Sequence, residues 1–422
     1  MKKFLLVLPA LALLSSCVKS IGDVKVNDIL KAATSNTTKN ILTVVSSKDA
    51  KTAAVQLLTN KRKQWERNPL QIAQDLRTAQ RDFNGLMRIL SGKVKKEWGK
   101  KDVQLPRQKT YVKYNKQYRS RAIVNFEQGE IRIESLDSAK ESLKDAIVTT
   151  LLTPEDPASV DVFSDSAVNL DSNSKPFLLG LVLNDAGQAI DTRELAANYA
   201  DIVLTTANTR KFQTDSGSKL ARFVIIKMVT NFEDKKAEKY LPLVRKYAAQ
   251  YDVSPSLILA IMRSESSFNP HAVSSAPAYG LMQLVPSSGG REAYRRAKNQ
   301  DIAPSKDYLF DIENNIELGT AYLNVLLYDQ LGDITDRVSR DYCVISAYNT
   351  GPSNVMRAFS NKKGQQRFDD GLAKINSLSA VQVFQHLRKK LPYAETRNYL
   401  PVVNNNRKRY YSIDQTIVPK NG

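Results

Sequence analysis

The stretch from Val253 to Tyr294 reads VSPSLILAIMRSESSFNPHAVSSAPAYGLMQLVPSSGGREAY, and its first half decides what kind of domain surrounds it. Ser254 followed by Pro255 predicts a helix start, with serine at the N-cap and proline at the first helical position, where its missing N–H is no loss. Ile258, Ile261 or Met262, and Glu265 then recur at helical spacing. That spacing puts the Glu265 carboxylate on the apolar face, turned into the protein. Asn269-Pro270 is expected to end the helix, because the residue before a proline is pushed out of the helical region. A carboxylate set among aliphatic side chains has its charged form disfavoured, so its pKa rises and it can hold a proton to donate near neutral pH. The same pattern also fits a structural glutamate satisfied by a backbone donor or by Arg263. The helix alone leaves both readings open.

Working outward, strand signals disappear from Lys235 onward. Lys239 to Gln250, Ile316 to Gln330, Arg340 to Tyr348 and Ala380 to Lys390 read as helices, joined by loops rich in Gly, Ser, Pro and Asn. An all-α domain is therefore expected over 233–422, with its boundary near Asn231-Phe232-Glu233. Upstream the pattern is different. Tyr111 to Tyr114, Ala122 to Phe126 and Glu130 to Ile133 read as short strands, with Glu127-Gln128-Gly129 as a tight turn. Ser138 to Leu152 reads as a helix capped by Ser138 and ended before Pro154. Phe177 to Leu183 and Leu220 to Val229 are two further strand candidates, with a helix near Glu194 to Thr205 between them. This makes 105–232 an α+β domain, and spacing alone finds no catalytic constellation in it. The expected fold class is α+β overall: an N-terminal helical segment and an α+β domain, followed by an all-α domain.

Residues 1–16 have a basic start at Lys2 and Lys3, an apolar run from Phe4 to Leu13 too short to span a bilayer, and a close at Leu14-Ser15-Ser16. They read as a signal peptide whose end looks like a bacterial lipobox, so Cys17 is the expected lipidated residue. An ordinary signal peptide that contains a cysteine is the alternative. Val18, where inner-membrane lipoproteins typically carry Asp, points to the outer membrane, with the protein facing the periplasm. With Cys17 given to lipid, only Cys343 remains, so no intrachain disulfide is expected, and Cys343 reads as a small core residue.

The formal charge of +19 and pI of 9.6 favour a polyanionic partner. A secretory address argues against nucleic acid and for peptidoglycan carboxylates and anionic lipid headgroups. The excess is concentrated between Lys51 and Arg121, with nineteen basic against five acidic residues. Residues 17–104 thus read as a basic helical segment that either lies along an anionic surface or serves as a spacer. A generic solvated basic surface would give the same count.

Four motifs then follow in order: Glu265-Ser266-Ser267-Phe268-Asn269-Pro270, Ser274, Gly280-Leu281-Met282-Gln283, and Ala347-Tyr348-Asn349-Thr350-Gly351. As an ordered set they resemble the lysozyme-like catalytic domain of the soluble-lytic-transglycosylase family. YVKYNKQYRSRAIVNFEQGEIRIES and the stretch from Pro154 to Asp165 resemble the N-terminal domain of the membrane-bound lytic murein transglycosylase C family. The likeness spans about Lys109 to Val403. It implies that Glu265 is the single catalytic acid and base, and that Ser274, Gln283, Tyr348 and Asn349 line a glycan groove. Glu395-Thr396-Arg397-Asn398-Tyr399 resembles the closing motif, in which Glu395 and Tyr399 support the same site. Pro277, where the family usually has glycine, departs from the pattern, and so does Val285, where the family usually has methionine and this branch has valine.

The residues themselves agree in kind. Gly280 suits a loop that passes close to a ligand, and a Gln offers donor and acceptor together to a sugar amide or hydroxyl. Tyr348-Asn349-Thr350-Gly351 also reads as a helix end with a left-handed glycine cap, and Glu395 beside Arg397 as a surface pair worth under about 1 kcal/mol. Glycosidases usually need two carboxylates, about 5 to 5.5 Å apart for retention or about 6.5 to 9.5 Å for inversion. The Glu265 motif offers one; Glu292 and Asp301 fall in a charged stretch. The resemblance implies the solution: Glu265 protonates the bond between N-acetylmuramic acid and N-acetylglucosamine, the muramyl N-acetyl group assists, and a 1,6-anhydro ring closes. No cofactor or metal is expected, since His271 and His386 do not lie at zinc-ligand spacing. A water-adding muramidase recruiting Glu395 or Asp301, and a non-catalytic peptidoglycan binder, are the rivals.

Overall fold

Residues 110–135 alternate apolar and polar side chains through two tight turns, and they fold as the meander this pattern dictates. In the computed structural model, which describes residue 88 and residues 91–162, 164–170, 174–274 and 278–415, β1 (Thr110–Asn115), β2 (Ser120–Asn125) and β3 (Glu130–Ser135) pair antiparallel. Cys17, the apolar run before it, most of the basic segment and Pro277 lie outside the described residues. The register aligns Tyr111, Val124, Ile131 and Ile226 in one buried row, with Lys113, Ala122, Ile133 and Val224 beside it. α1 (Lys140–Leu151) packs on β2 and β3 and against α2 (Arg193–Leu204). β4 (Asn208–Thr214) and β5 (Gly217–Lys227) complete the sheet in the order β1-β2-β3-β5-β4.

The opposite face of the sheet is charged and buried. Arg121 stands directly across from Glu134, and both are at most 2% exposed. Glu134 accepts from Arg121 Nε at 2.6 Å, Arg210 Nε at 2.7 Å and Arg132 Nε at 2.9 Å. The Arg121 guanidinium lies 3.8 Å over the Trp98 ring, which stacks on Phe212 at 5.6 Å. Burial pushes the Glu134 carboxyl up, but the hydrogen bonds and charges of Arg210 and Arg121 outweigh it and bring its pKa to about 2.

The chain divides into two compact units, Met1–Lys236 with Ser267–Ser287 and Ala303–Ile312, and Ala237–Ser266 with Ser288–Ile302 and Glu313–Gly422. The second is helical. Its elements are α3 (Phe232–Tyr251), which begins in the first unit, then α4 (Pro255–Ser266), α5 (Gly289–Lys298) and α7 (Ile312–Asn324). They are followed by α8 (Arg337–Thr350), α9 (Pro352–Phe359), α10 (Gln365–Asn376), α11 (Ala380–Lys390), α12 (Ala394–Lys408) and α13 (Tyr411–Asp414). The short α6 (Lys306–Phe310) belongs to the first unit. α4 is buried on nearly every side from Pro255 to Met262, the signature of a central helix rather than a surface one. It packs along α12, and α8 packs against α9, α11 and α12. Cys343 is buried in α8 without a disulfide.

Three expectations are corrected, and one strand, β4, is absent from the sequence reading. Phe177 to Leu183 is not a strand: isolated bridges and turns carry it past Gly180, at φ 73°, although Phe177 still buries against Tyr111 and Phe126. Ser138 does not cap α1; the N-cap is Ala139, and the Ser138 carbonyl accepts from Arg222 instead. The helix expected over Ile316 to Gln330 changes character at Val325, where a π-helical turn runs to Gln330. β4 carries a single buried residue, Phe212, so its sequence shows no two-residue period.

Candidate active site

α4 starts as Ser254-Pro255 predicts, and its N-terminal amides are tied from far along the chain. Asp414 accepts from the Ser256 amide at 2.9 Å and from its hydroxyl at 2.6 Å. Arg407 donates to Ser254 Oγ and Ser256 Oγ and pairs with Asp341 at 2.7 Å. At the other end the helix stops earlier than Asn269-Pro270. Ser267 and Phe268 adopt left-handed backbone at φ 49° and 61°, which breaks the helical path directly after Glu265-Ser266. Asn269 follows as a turn residue whose Oδ1 accepts from the His271 amide at 3.1 Å.

Glu265 thus sits in the last turn of α4, 8% exposed. Tyr399, on α12, donates its hydroxyl to Glu265 Oε1 at 2.6 Å, the length of a hydrogen bond to a charged carboxylate. Asn406 donates to Ser264 Oγ at 3.0 Å two turns further along α12, which fixes the register of the two helices. Burial first, and then the charge of Glu265, push the Tyr399 and Tyr348 phenols well above their ordinary pKa, so both keep their protons. Tyr348 ends α8 with its ring 5.4 Å from that of Tyr322. Asn349 accepts from Thr396 Oγ1 at 2.6 Å, and Gly351, at φ 82°, closes the helix by donating to the Ala347 carbonyl.

Glu265, Tyr348, Asn349 and Tyr399 belong to the helical unit. Glu395 is in the same unit but exposed in the first turn of α12, with no hydrogen bond or ion pair among the described residues. Its neighbour Thr396, 1% exposed, is the one that reaches Asn349. Thr396 falls inside the closing motif, whose implied roles go to Glu395 and Tyr399, and Tyr322 reads as an ordinary core aromatic. Ser274 and Gln283 belong to the first unit. Ser274 Oγ accepts from the Ala278 amide at 3.2 Å. Gln283 sits at φ 47° and donates its amide to the Ala272 and Gly280 carbonyls, both at 3.0 Å, so its donor side holds its own loop and only Oε1 is left unpaired.

The other carboxylates named from sequence are engaged. Asp301 pairs with Arg291 at 2.7 Å, which lowers its pKa, and Glu292 accepts from Gln330 at 2.7 Å. His271 is buried among Tyr111 and Phe177 with Nε2 3.2 Å from the Pro154 carbonyl oxygen, and His386 Nε2 lies 2.8 Å from that of Ala358. Both are structural.

A helical unit organised around one buried glutamate with a phenol on it matches a known class of domain: residues 242–370 fit the model of the transglycosylase SLT domain. Residues 44–239 fit that of the membrane-bound lytic murein transglycosylase C N-terminal domain. The chain is 44% identical over 336 residues to membrane-bound lytic murein transglycosylase C of Yersinia pestis (strain Pestoides F) and of Yersinia pseudotuberculosis serotype O:1b, covering 78% of this chain and 91% of theirs. The chain belongs to the membrane-bound lytic murein transglycosylase C family. Among solved structures it is similar to an inactive mutant of lytic transglycosylase Slt from Pseudomonas aeruginosa, at 25% identity and TM-score 0.32 over 42% of this chain. The 70 kDa soluble lytic transglycosylase of Escherichia coli matches at 26% identity and TM-score 0.31 over 41% of this chain. The matched part spans about a quarter of those two chains.

Proposed function

We propose that this family member cleaves the β-1,4 bond between N-acetylmuramic acid and N-acetylglucosamine in peptidoglycan strands, with Glu265 as its only acid and base. The hydrogen bond from Tyr399 to the buried Glu265 carboxylate carries the reading. Protonated Glu265 gives its proton to the bridging oxygen as the bond to C1 breaks, while the muramyl N-acetyl oxygen bonds C1 from the other side. The carboxylate left behind takes the proton of the C6 hydroxyl. O6 then replaces the acetamido oxygen at C1, closing the 1,6-anhydro ring with no water consumed. The phenols of Tyr399 and Tyr348 keep their protons and act as donors, leaving the base role to Glu265.

Tyr348 and Asn349 are proposed to hold the sugar beside the acid, and Tyr399 to orient Glu265. The roles of Ser274, Gln283 and Glu395 rest on motif resemblance. Residues 1–16 are proposed as the lipoprotein signal, 17–104 as the lipid-anchored basic segment, 105–232 as the α+β domain and 233–422 as the catalytic domain. Cys17 would then carry the lipid at the outer membrane, facing the periplasm. The relatives are named membrane-bound, and among the described residues no helix is long and apolar enough to cross a membrane.

The test is a muropeptide digest with wild type and Glu265→Gln side by side, read by mass spectrometry. Wild type should give anhydromuramyl ends, lighter by one water than reducing ends. Glu265→Gln should lose about 10²- to 10⁴-fold in rate, the usual contribution of a general acid–base group. Reducing ends alone would establish a muramidase, and undiminished cleavage by the variant would show that another residue is the acid.

A further inference from the structure

Several hydroxyls on the helices of the second unit turn back on their own helix. Ser264, Ser266, Thr320 and Ser346 each donate to the carbonyl four residues earlier. Thr396 does not. It is the third residue of α12, which begins at Ala394, so no carbonyl of its own helix lies four positions behind it. Its hydroxyl crosses to α8 instead and donates to Asn349 Oδ1 at 2.6 Å. Thr396 is 1% exposed, so solvent does not compete for that bond.

The bond has a consequence for Asn349. An asparagine amide offers an acceptor oxygen at one end and two donor protons at the other. With Oδ1 engaged by Thr396, the Nδ2 end is turned away from α12. Nδ2 has no partner among the described residues, and Asn349 is only half-buried, so its protons are left to meet a ligand. Without the threonine proton the two ends of the amide could exchange at little cost. Tyr399 stands three positions after Thr396, on the same face of α12, and donates to Glu265 Oε1 at 2.6 Å. One turn of α12 thus fixes the proposed acid with a phenol and the neighbouring amide with an alcohol.

We propose that Thr396 is a positioning residue that acts through Asn349: its hydroxyl holds the amide with Nδ2 outward, so that Asn349 receives an acceptor oxygen of the sugar. This rests on the glycan-cleaving function proposed above. Thr396 itself touches no substrate; it decides which end of Asn349 the substrate meets.

The test compares Thr396→Val, which keeps the shape and removes the hydroxyl, with Thr396→Ser, which keeps the hydroxyl, in the full chain in detergent. On purified glycan strands Thr396→Val should raise KM about three- to ten-fold and leave kcat within about two-fold, and Thr396→Ser should restore KM. In an Asn349→Ala background Thr396→Val should add nothing to KM, because the group it acts through is gone. Additive losses in the double variant, a fall in kcat with KM unchanged, or a serine variant as impaired as the valine one would overturn the proposal. So would a valine variant that loses activity only together with its fold in thermal melting. The side-chain amide signals of Asn349 give a readout that needs no turnover. In chain labelled with ¹⁵N-asparagine, and assigned by their loss in Asn349→Ala, they should move in Thr396→Val and return in Thr396→Ser; signals unmoved by the valine overturn the hold on Asn349. Failure of wild type to digest the strands refutes the glycan reading, while the amide signals still report on Thr396.

Discussion

Replacing Tyr399 by Phe removes one oxygen atom and leaves the ring in place between α12 and α4. What is lost is the 2.6 Å hydrogen bond to Glu265 Oε1. Because burial and the Glu265 charge hold the phenol well above its ordinary pKa, Tyr399 is a neutral donor throughout the working range, and its bond is strongest when Glu265 is ionised. Such a bond is worth about 1.5 to 3 kcal/mol to the ion and about 0.5 to 1.5 to the neutral acid, so it favours the ionised form by about 1 to 1.5 kcal/mol, which is about one pH unit. The sign follows directly. The bond stabilises the carboxylate and lowers its pKa, so deletion raises it. In the proposed mechanism the first proton transfer needs protonated Glu265, so activity should fall as pH rises through that pKa. In Tyr399→Phe the alkaline limb of kcat against pH should move up by about one unit. The rate at the optimum should fall as well, because the carboxylate must then turn unaided to the C6 hydroxyl. The assay is release of anhydromuropeptides from purified sacculi over pH 4 to 9, with thermal melting to show that the fold is kept. An alkaline limb in the same place as wild type would refute both the role of Tyr399 and Glu265 as the titrating acid.

Two further predictions concern parts of the chain away from the site. Glu134→Gln removes the anion shared by Arg121, Arg132 and Arg210, leaving buried Arg121 with only Asp102, 3.9 Å away and paired more closely to Arg210, and should destabilise the sheet by about 3 kcal/mol in chemical denaturation. With its folded pKa near 2 against an ordinary 4.5, Glu134 contributes stability that is complete above about pH 4.5 and lost as pH falls towards 2. Acid unfolding of wild type should show that dependence, and the variant should lack it; equal acid profiles would put the protonation elsewhere. Cys17→Ser should shift the protein from the membrane to the soluble fraction on cell fractionation, and an intact wild-type chain without added lipid mass would overturn the anchor.

What the sequence made legible was what short-range pattern encodes. Ser254-Pro255 announces the start of α4, and the alternation around Tyr111, Val124 and Ile131 announces three strands, because burying one face imposes the period directly. Ala380–Lys390 matches its helix from end to end, with Ser379 and Gln382 forming a capping box. Illegible elements are those whose order comes from elsewhere. β4 is an edge strand with one buried side chain, and Phe177 to Leu183 is apolar because it fills a core between turns, without the ladder that its composition suits. The site divides in the same way. Glu265 stands out on its helix, but its partner Tyr399 is 134 positions away, and Thr396, which holds Asn349, lies in the closing motif without a role of its own there. Gln283 adds what its motif does not encode: its donors hold its own loop, and only Oε1 is left unpaired.

In the mechanism proposed above one carboxyl serves as acid and then as base, and the two ends of α4 suit Glu265 to that role. At the N-terminal end Asp414 accepts from the Ser256 amide, where the positive pole of the helix favours negative charge. Glu265 lies at the other pole, one residue before the helix ends, where negative charge is disfavoured by about 0.3 to 1 kcal/mol. Burial adds to that penalty and favours the protonated acid needed at the start of the reaction. Against both stands the Tyr399 hydroxyl, whose hydrogen bond to the ion is worth more than the helix pole alone. Burial and the helix end load the proton, and the phenol makes room for the carboxylate once the proton has gone. A glutamate with only the first two would protonate the bridging oxygen reluctantly and reclaim its proton from solvent; one with only the third would rarely be protonated when the strand arrives. The opposition of these forces on a single side chain is what would let the proposed site work with one carboxylate where hydrolytic glycosidases usually use two.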